Sequence, residues 1–202
     1  MKFSAQDHNM MARALQLAGK ARYTTAPNPA VGCVILSNNK IIGEGFTRPA
    51  GGNHAEIEAL QMAGDATGVT VYVTLEPCSH QGKTPPCAQA LIEAKVSRVV
   101  IACEDPNPKV SGSGIKQLQE AGIEVQLGLM EAQARELNKG FFKRYTEGTP
   151  WVLVKMAASL DGRTAMASGQ SQWITSPAAR LDVQRLRAGS SAIITGLSLI
   201  HI

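Results

Sequence analysis

Aromatic residues are scarce in this chain, 4% of 202, and no run of Lys or Arg occurs in it. Nucleic-acid binding draws on stacking platforms and basic grooves, so no nucleic-acid partner is expected. No apolar run approaches the ~20 residues of a membrane span, and no membrane partner is expected either. Lys2, Asp7 and Arg13 stand where a signal peptide needs an apolar segment. Only four cysteines are present. Without a secretory segment they read as reduced thiols in a cytoplasmic protein, metal ligands included, in preference to disulfides. The net charge of +4 is mild and dispersed. It suits a small anionic substrate better than a polyanion. What remains is an ordinary globular composition, 44% hydrophobic and 18% charged, long enough for one complete domain and part of another.

The chemistry concentrates between His54 and Cys87. His54-Ala55-Glu56 is followed by Thr74-Leu75-Glu76-Pro77-Cys78 and then by Pro86-Cys87. One imidazole and two thiolates suit a tetrahedral zinc ion with its fourth position open to water. No fourth Cys or His is spaced to close the site as a structural one. Glu56 is then free to accept the proton that a metal-bound water gives up. His-x-Glu followed by Pro-Cys and a second Cys is the pattern of zinc deaminases, here with eight residues between the cysteines. Each residue alone has a plainer reading, as a core histidine, a buried thiol or a helix-start charge. Their joint occurrence favours a zinc-dependent hydrolytic site. Cys33 and Cys103, in apolar strand-like runs, read as core residues.

The apolar spacing predicts a helix over 7–17, a hairpin of strands 31–36 and 41–45, and a helix over 55–63. A strand over 69–75 delivers Cys78, and Cys87 opens a helix over 88–94. Strand 96–103, helix 114–121, strand 123–127 and one amphipathic helix over 131–144 follow. His54 and Glu56, two apart, share a site only from the first turn of their helix, where the free N–H groups favour an anion. Asn28 either caps a turn or reaches a heterocyclic base. The alternation predicts a three-layer α/β sandwich on a mixed sheet, with a first domain over 1–145. A linker over 146–150 leads to a second, incomplete domain over 151–202, read as β-α-β. Its strands are placed at 151–156 and 191–195, and its helix begins at Ser176-Pro177.

Asn28-Pro29-Ala30-Val31-Gly32, His54-Ala55-Glu56, the run from Thr74 to Cys87 and Asp105-Pro106-Asn107-Pro108 together resemble the bifunctional riboflavin-biosynthesis deaminase–reductase family. Lys155, Ser159-Leu160-Asp161-Gly162-Arg163 and Ser171-Gln172-Trp173-Ile174-Thr175 are similar to the start of that family's reductase domain. The likeness runs to about Gly196, and the eight-residue cysteine gap is the family's own. It implies a cytidine-deaminase-like domain followed by a dihydrofolate-reductase-like one. It implies zinc at His54, Cys78 and Cys87, with Glu56 catalytic. The implied substrate is a phosphorylated pyrimidine, 2,5-diamino-6-(5-phosphoribosylamino)pyrimidin-4(3H)-one, contacted by Asn28, Lys83, Asp105 and Asn107. Lys83 reads otherwise as a solvated loop lysine. For the reductase step the resemblance implies NADPH contacts at Ala157 and Trp173, and substrate contacts at Ser171 and Arg187. Trp173 as core filler and Arg187 as a helix-end charge remain the plain alternatives.

After Gly196 the family continues with a Thr-Val-Leu-Ala-Asp-Asp-Pro type of segment, whereas this chain reads Leu197-Ser198-Leu199-Ile200-His201-Ile202. Deamination without reduction is therefore expected, and His201 is not read as a ligand. Two other functions stay open at this point: a deaminase of a different base or nucleoside, and a zinc-stabilised module without catalysis. Oligomeric state is also open, since the apolar start at Trp151, Val152 and Leu153 needs a cover.

Overall fold

A computed structural model describes residues 3–80, 85–108 and 110–196. The chain divides into two compact units, Met1–Trp151 and Val152–Ile202.

The first unit opens with helix α1 (Ala5–Ala21). The Ser4 hydroxyl accepts the Asp7 N–H, and the Asp7 carboxylate accepts the Ser4 N–H, a reciprocal capping box. Met11, Ala14, Leu17, Ala18 and Ala21 recur at three- and four-residue spacing as its buried stripe. Strands β1 (Gly32–Ser37) and β2 (Lys40–Phe46) form the expected hairpin. Its turn places Asn38 at φ 47° and Asn39 at φ 63°, the left-handed pair that a two-residue hairpin turn requires. Helix α2 spans Ala55–Ala63, strand β3 Thr70–Val73 and helix α3 Cys87–Glu93. Strand β4 (Arg98–Ile101), helix α4 (Ser113–Glu120) and strand β5 (Glu124–Leu127) continue the alternation.

The strands form one mixed sheet in the order β2-β1-β3-β4-β5. β1 runs antiparallel to β2 and β3, and β3, β4 and β5 run parallel. Close backbone approaches show how the layers stack. A side-chain carbon at Gly32 would lie 1.9 Å from the Ala14 carbonyl of α1. At Gly43 and Gly45 it would lie 2.2 and 2.1 Å from the Ala59 and Ala55 carbonyls of α2. Gly45 pairs with Cys33, the neighbour of Gly32, and neighbouring strand residues face opposite sides. α1 and α2 therefore cover opposite faces of the sheet, giving the three-layer α/β/α sandwich expected. Val71, Val73, Val99 and Ile101 fill one side of the sheet centre and Val34, Tyr72 and Val100 the other, all buried.

The single helix expected over 131–144 is two helices, α5 (Glu131–Leu137) and α6 (Lys139–Glu147). The cause is Asn138 between them. Its buried side chain accepts the Ala30 N–H and donates to the Ala30 carbonyl, both at 2.8 Å. These two bonds tie the chain to the entrance of β1 and replace helical continuity at φ −114°. Trp151 closes the unit under the Lys139 ammonium, 4.7 Å above its ring.

In the second unit, α7 (Pro177–Ala188) forms as expected, with the Ser176 hydroxyl accepting the Ala179 N–H and proline in the first turn. The strands expected at 151–156 and 191–195 are absent among the described residues. A strand needs a partner for its ladder, and this unit's described residues offer none. Val152, Leu153, Val154, Met156, Ile193 and Ile194 are instead exposed. Residues 159–163 close a turn in which the Ser159 hydroxyl accepts the Arg163 N–H at 3.0 Å. Residues 197–202, with His201 and the divergent tail, lie outside the described residues. No described helix is long and apolar enough to cross a membrane.

Candidate metal and catalytic site

Three elements converge on the site. His54 is the N-cap residue of α2, with extended backbone and no capping bond from its side chain. Glu56 stands in the first turn of the same helix and is 4% exposed. Cys78 follows β3 across Thr74-Leu75-Glu76-Pro77, and buried Cys87 is the first residue of α3. The Cys87 N–H donates to the Cys78 sulfur at 3.3 Å, and the Ala88 N–H donates to the Cys78 carbonyl at 3.0 Å. The start of α3 and the Cys78 turn are thus one rigid piece.

His54 Nδ1 lies 3.2 Å from Cys87 Sγ and 3.6 Å from Cys78 Sγ. All three donor atoms lie within 4.8 Å of one another, the one such group of metal-ligating side chains among the described residues. Tetrahedral bonds of about 2.1 Å to nitrogen and 2.3 Å to sulfur separate their donors by roughly 3.5–3.8 Å. A nitrogen and two sulfurs at these spacings fit zinc, with one coordination position left over.

Charge is arranged to match. A hydrogen bond from the Cys87 thiol holds Cys78 well below the usual thiol range, and the His54 ring helps. The same bond, together with burial, pushes Cys87 up. The Cys78 anion in turn raises His54. Burial carries Glu56 up to about 7, the Cys78 charge adding and the His54 ring opposing. A carboxyl group poised there can both take and return a proton near neutral pH. Burial puts Cys33 well above its ordinary value, and it carries Cys103 up to about 12. Both are inert core thiols.

A cavity of about 340 Å³ opens onto this group, lined among others by Asn28, His54, Glu56, Cys78, Asp105 and Asn107. Asn28 bonds into its turn through the backbone, its N–H donating to the Thr25 carbonyl at 2.8 Å, while the residue lines the cavity. Asp105 accepts the Asn107 N–H at 2.8 Å and so shapes the loop that presents both residues. Burial lifts Asp105 to about 6, against the Asn107 hydrogen bond and with the charges of Glu76 and Cys78 adding. Lys83 lies outside the described residues. In the second unit, Ala157 is half-buried and Ser171 and Arg187 are exposed. Trp173 is 68% exposed, with the Arg180 guanidinium 4.5 Å from its ring centre, and is not core filler. A cavity of that unit is lined by Ser159, Arg163, Ala165, Met166, Ala167 and Ile174, and none of the four expected NADPH and substrate contacts lines it.

Three of the first cavity's wall residues that sequence reasoning missed bear most on its shape and chemistry. Phe141 and Tyr145 reach it from α6, an edge-on pair with ring centres 5.0 Å apart. Their i, i+4 spacing was visible, but the break at Asn138 just before them was not. Glu76, also in the wall, sat inside the motif without a role.

The match to a family model described as the cytidine and deoxycytidylate deaminase zinc-binding region covers residues 4–103. A second, the RibD C-terminal domain, matches residues 150–202. The riboflavin biosynthesis protein RibD of Escherichia coli K12 is 60% identical over 96% of this chain and 53% of its own length. A solved structure of Acinetobacter baumannii RibD aligns with a TM-score of 0.90 at 55% identity, covering 96% of this chain and 55% of that one. The Thermotoga maritima diaminohydroxyphosphoribosylaminopyrimidine deaminase/5-amino-6-(5-phosphoribosylamino)uracil reductase aligns at a TM-score of 0.86 and 41% identity, over 90% and 53% of the two chains. The chain spans about half the length of the curated relatives it matches. On sequence and fold together, it belongs to the RibD family of riboflavin-biosynthesis proteins.

Proposed function

We propose that this chain hydrolyses the 2-amino group of 2,5-diamino-6-(5-phosphoribosylamino)pyrimidin-4(3H)-one, releasing ammonia and the corresponding uracil. One observation carries this reading: His54, Cys78 and Cys87 present ligand atoms within 4.8 Å of one another beside a buried Glu56, all at one cavity. Zinc held by those three would make water nucleophilic near neutral pH. Glu56 takes one proton from the attacking water and gives it to the ring nitrogen, then takes the proton of the hydroxyl newly bonded to the ring carbon and gives it to the departing amine. Asn28, Asp105 and Asn107 hold the polar edge of the heterocycle, and Phe141 and Tyr145 form an apolar wall beside it. Lys83 pairs with the substrate phosphate.

The domain boundaries follow from the same reading. Residues 1–145 form the deaminase domain, 146–150 a linker and 151–202 the beginning of a reductase domain. There the family resemblance assigns Ala157 and Trp173 to NADPH, and Ser171 and Arg187 to the ribosyl substrate, although the cavity described for that unit is lined by none of them. A reducing cytoplasm suits a site built on two free thiols. The exposed run Val152, Leu153 and Val154 favours self-association of chains, which sedimentation velocity would register. The decisive experiment follows ammonia release from the diaminopyrimidine. A chelator should abolish it and added zinc restore it; release that survives complete zinc removal would refute the proposal.

A further inference from the structure

Glu76 has a bonding pattern that neither metal binding nor proton transfer explains. It is 3% exposed, two residues before Cys78. One carboxylate oxygen accepts the N–H groups of Asp105 at 3.2 Å and Gly112 at 3.0 Å. The other accepts those of Gly114 at 2.9 Å and Ile115 at 3.2 Å. These donors come from the two ends of one segment, the loop that begins at Asp105 and the first turn of α4. Helix α4 has no capping side chain of its own, its N-cap being Gly112 at φ 74°. Glu76, from another strand end, supplies what that helix start lacks: acceptors for its open N–H groups and a negative charge at its positive pole.

The junction is fixed on both sides. The Glu76 N–H donates to the Cys103 carbonyl at 3.0 Å, anchoring the acid's backbone to the strand-end ladder. A side-chain carbon at Gly114 would lie 2.0 Å from the Pro77 carbonyl, so the first turn of α4 rests directly on the backbone between Glu76 and Cys78. Beyond Cys78, the Ser79 hydroxyl bonds the Ser113 hydroxyl at 2.5 Å. The candidate ligand Cys78 is therefore bracketed by contacts to one helix start. With both oxygens doubly engaged, Glu76 has no lone pair left for a substrate proton, although it borders the cavity.

We propose that Glu76 is a positioning residue that locks the Asp105–Asn107 loop to the Cys78 turn and so sets the pyrimidine's register against the metal ligands. This rests on the deaminase reading given above. The test is Glu76→Gln, which turns an amide NH2 toward two N–H donors in place of one oxygen. Amide hydrogen exchange at Asp105, Gly112, Gly114 and Ile115 should quicken by about tenfold or more. Bound zinc should stay at the wild-type level because no ligand is touched. KM for the diaminopyrimidine should rise about tenfold with kcat falling less than about threefold, the mark of lost uniform binding. Gly114→Ala, which pushes the same junction apart from the helix side, should copy the KM effect. The double variant should be no worse than the worse single one.

Unchanged exchange at the four amides, or a fall in kcat at constant KM, would overturn the assignment. So would additive effects of the two substitutions. The exchange measurement uses no substrate. A wild-type chain that failed to release ammonia would therefore refute the deaminase reading, while the exchange comparison would still decide the role of Glu76.

Discussion

Two buried carboxylates lie in the same sandwich with opposite surroundings. Asp7, 5% exposed, is surrounded by donors. One of its oxygens accepts from the Tyr72 hydroxyl and the Arg98 guanidinium, both at 2.8 Å. The other accepts from the Ser4 N–H and hydroxyl, also at 2.8 Å. Burial pushes this group up, but Arg98, Ser4 and Tyr72 outweigh it and hold Asp7 well below the usual carboxylate range. Glu56 is as well buried, and its largest influence, burial, prevails: it is carried up to about 7. A carboxylate that holds α1 to the sheet is kept ionised at neutral pH by its partners. A carboxyl that must exchange protons is left short of them beside a candidate metal site.

Substitution at Glu56 should break this contrast most sharply. Glu56→Gln keeps the shape but cannot carry a proton, and ammonia release should fall by about 10³-fold or more. The variant should still melt cooperatively, since the neutral side chain fills the same buried volume. Thermal unfolding beside a discontinuous ammonia assay reads both at once.

At Asp7 the cost should fall on stability instead. Asp7→Asn leaves Arg98 facing a neutral amide and should lower stability by about 2–4 kcal/mol, read from urea unfolding at pH 7, with the zinc ligands untouched. The pH dependence follows in sign. Asp7 titrates lower in the folded chain than in the unfolded one, so its contribution is full above the unfolded value of about 3.9. It is lost as pH falls through that value toward the folded one. The wild-type advantage over Asp7→Asn should therefore shrink between pH 5 and about pH 3; an advantage constant across that range would contradict the ionic account of Asp7. The smallest effect belongs to Tyr72→Phe, which removes one of the four donors and should cost about 1 kcal/mol.

Much of the first unit was legible because its signals are local. The helix over 55–63 coincides with α2, since Gly51-Gly52-Asn53 punctuates its start and the apolar spacing runs unbroken from Ala55 to Ala63. The zinc-type spacing of His54, Cys78 and Cys87 was readable because His54 and Cys87 stand at helix starts and Cys78 follows a strand within a few residues. What escaped depends on partners distant in the chain. Asn138 divides a helical pattern because it bonds Ala30, 108 positions away. Phe141 and Tyr145 line the cavity from the helix that follows that break. Glu76 looked like the end of a strand, and nothing near it announces that its acceptors serve α4, nearly forty residues on. The apolar runs at 151–156 and 191–195 have strand propensity, but propensity supplies no partner strand, and their described residues stay unladdered.

The most direct test pairs zinc content with turnover in the wild-type chain and in Glu56→Gln. Both proteins are predicted to hold about one zinc per chain, as three protein ligands with an open position require, and only the wild type is predicted to release ammonia from the diaminopyrimidine. Sustained ammonia release by Glu56→Gln, or a purified wild-type chain that takes up no zinc, would contradict the reading of His54, Glu56, Cys78 and Cys87 as a zinc-dependent deaminase site.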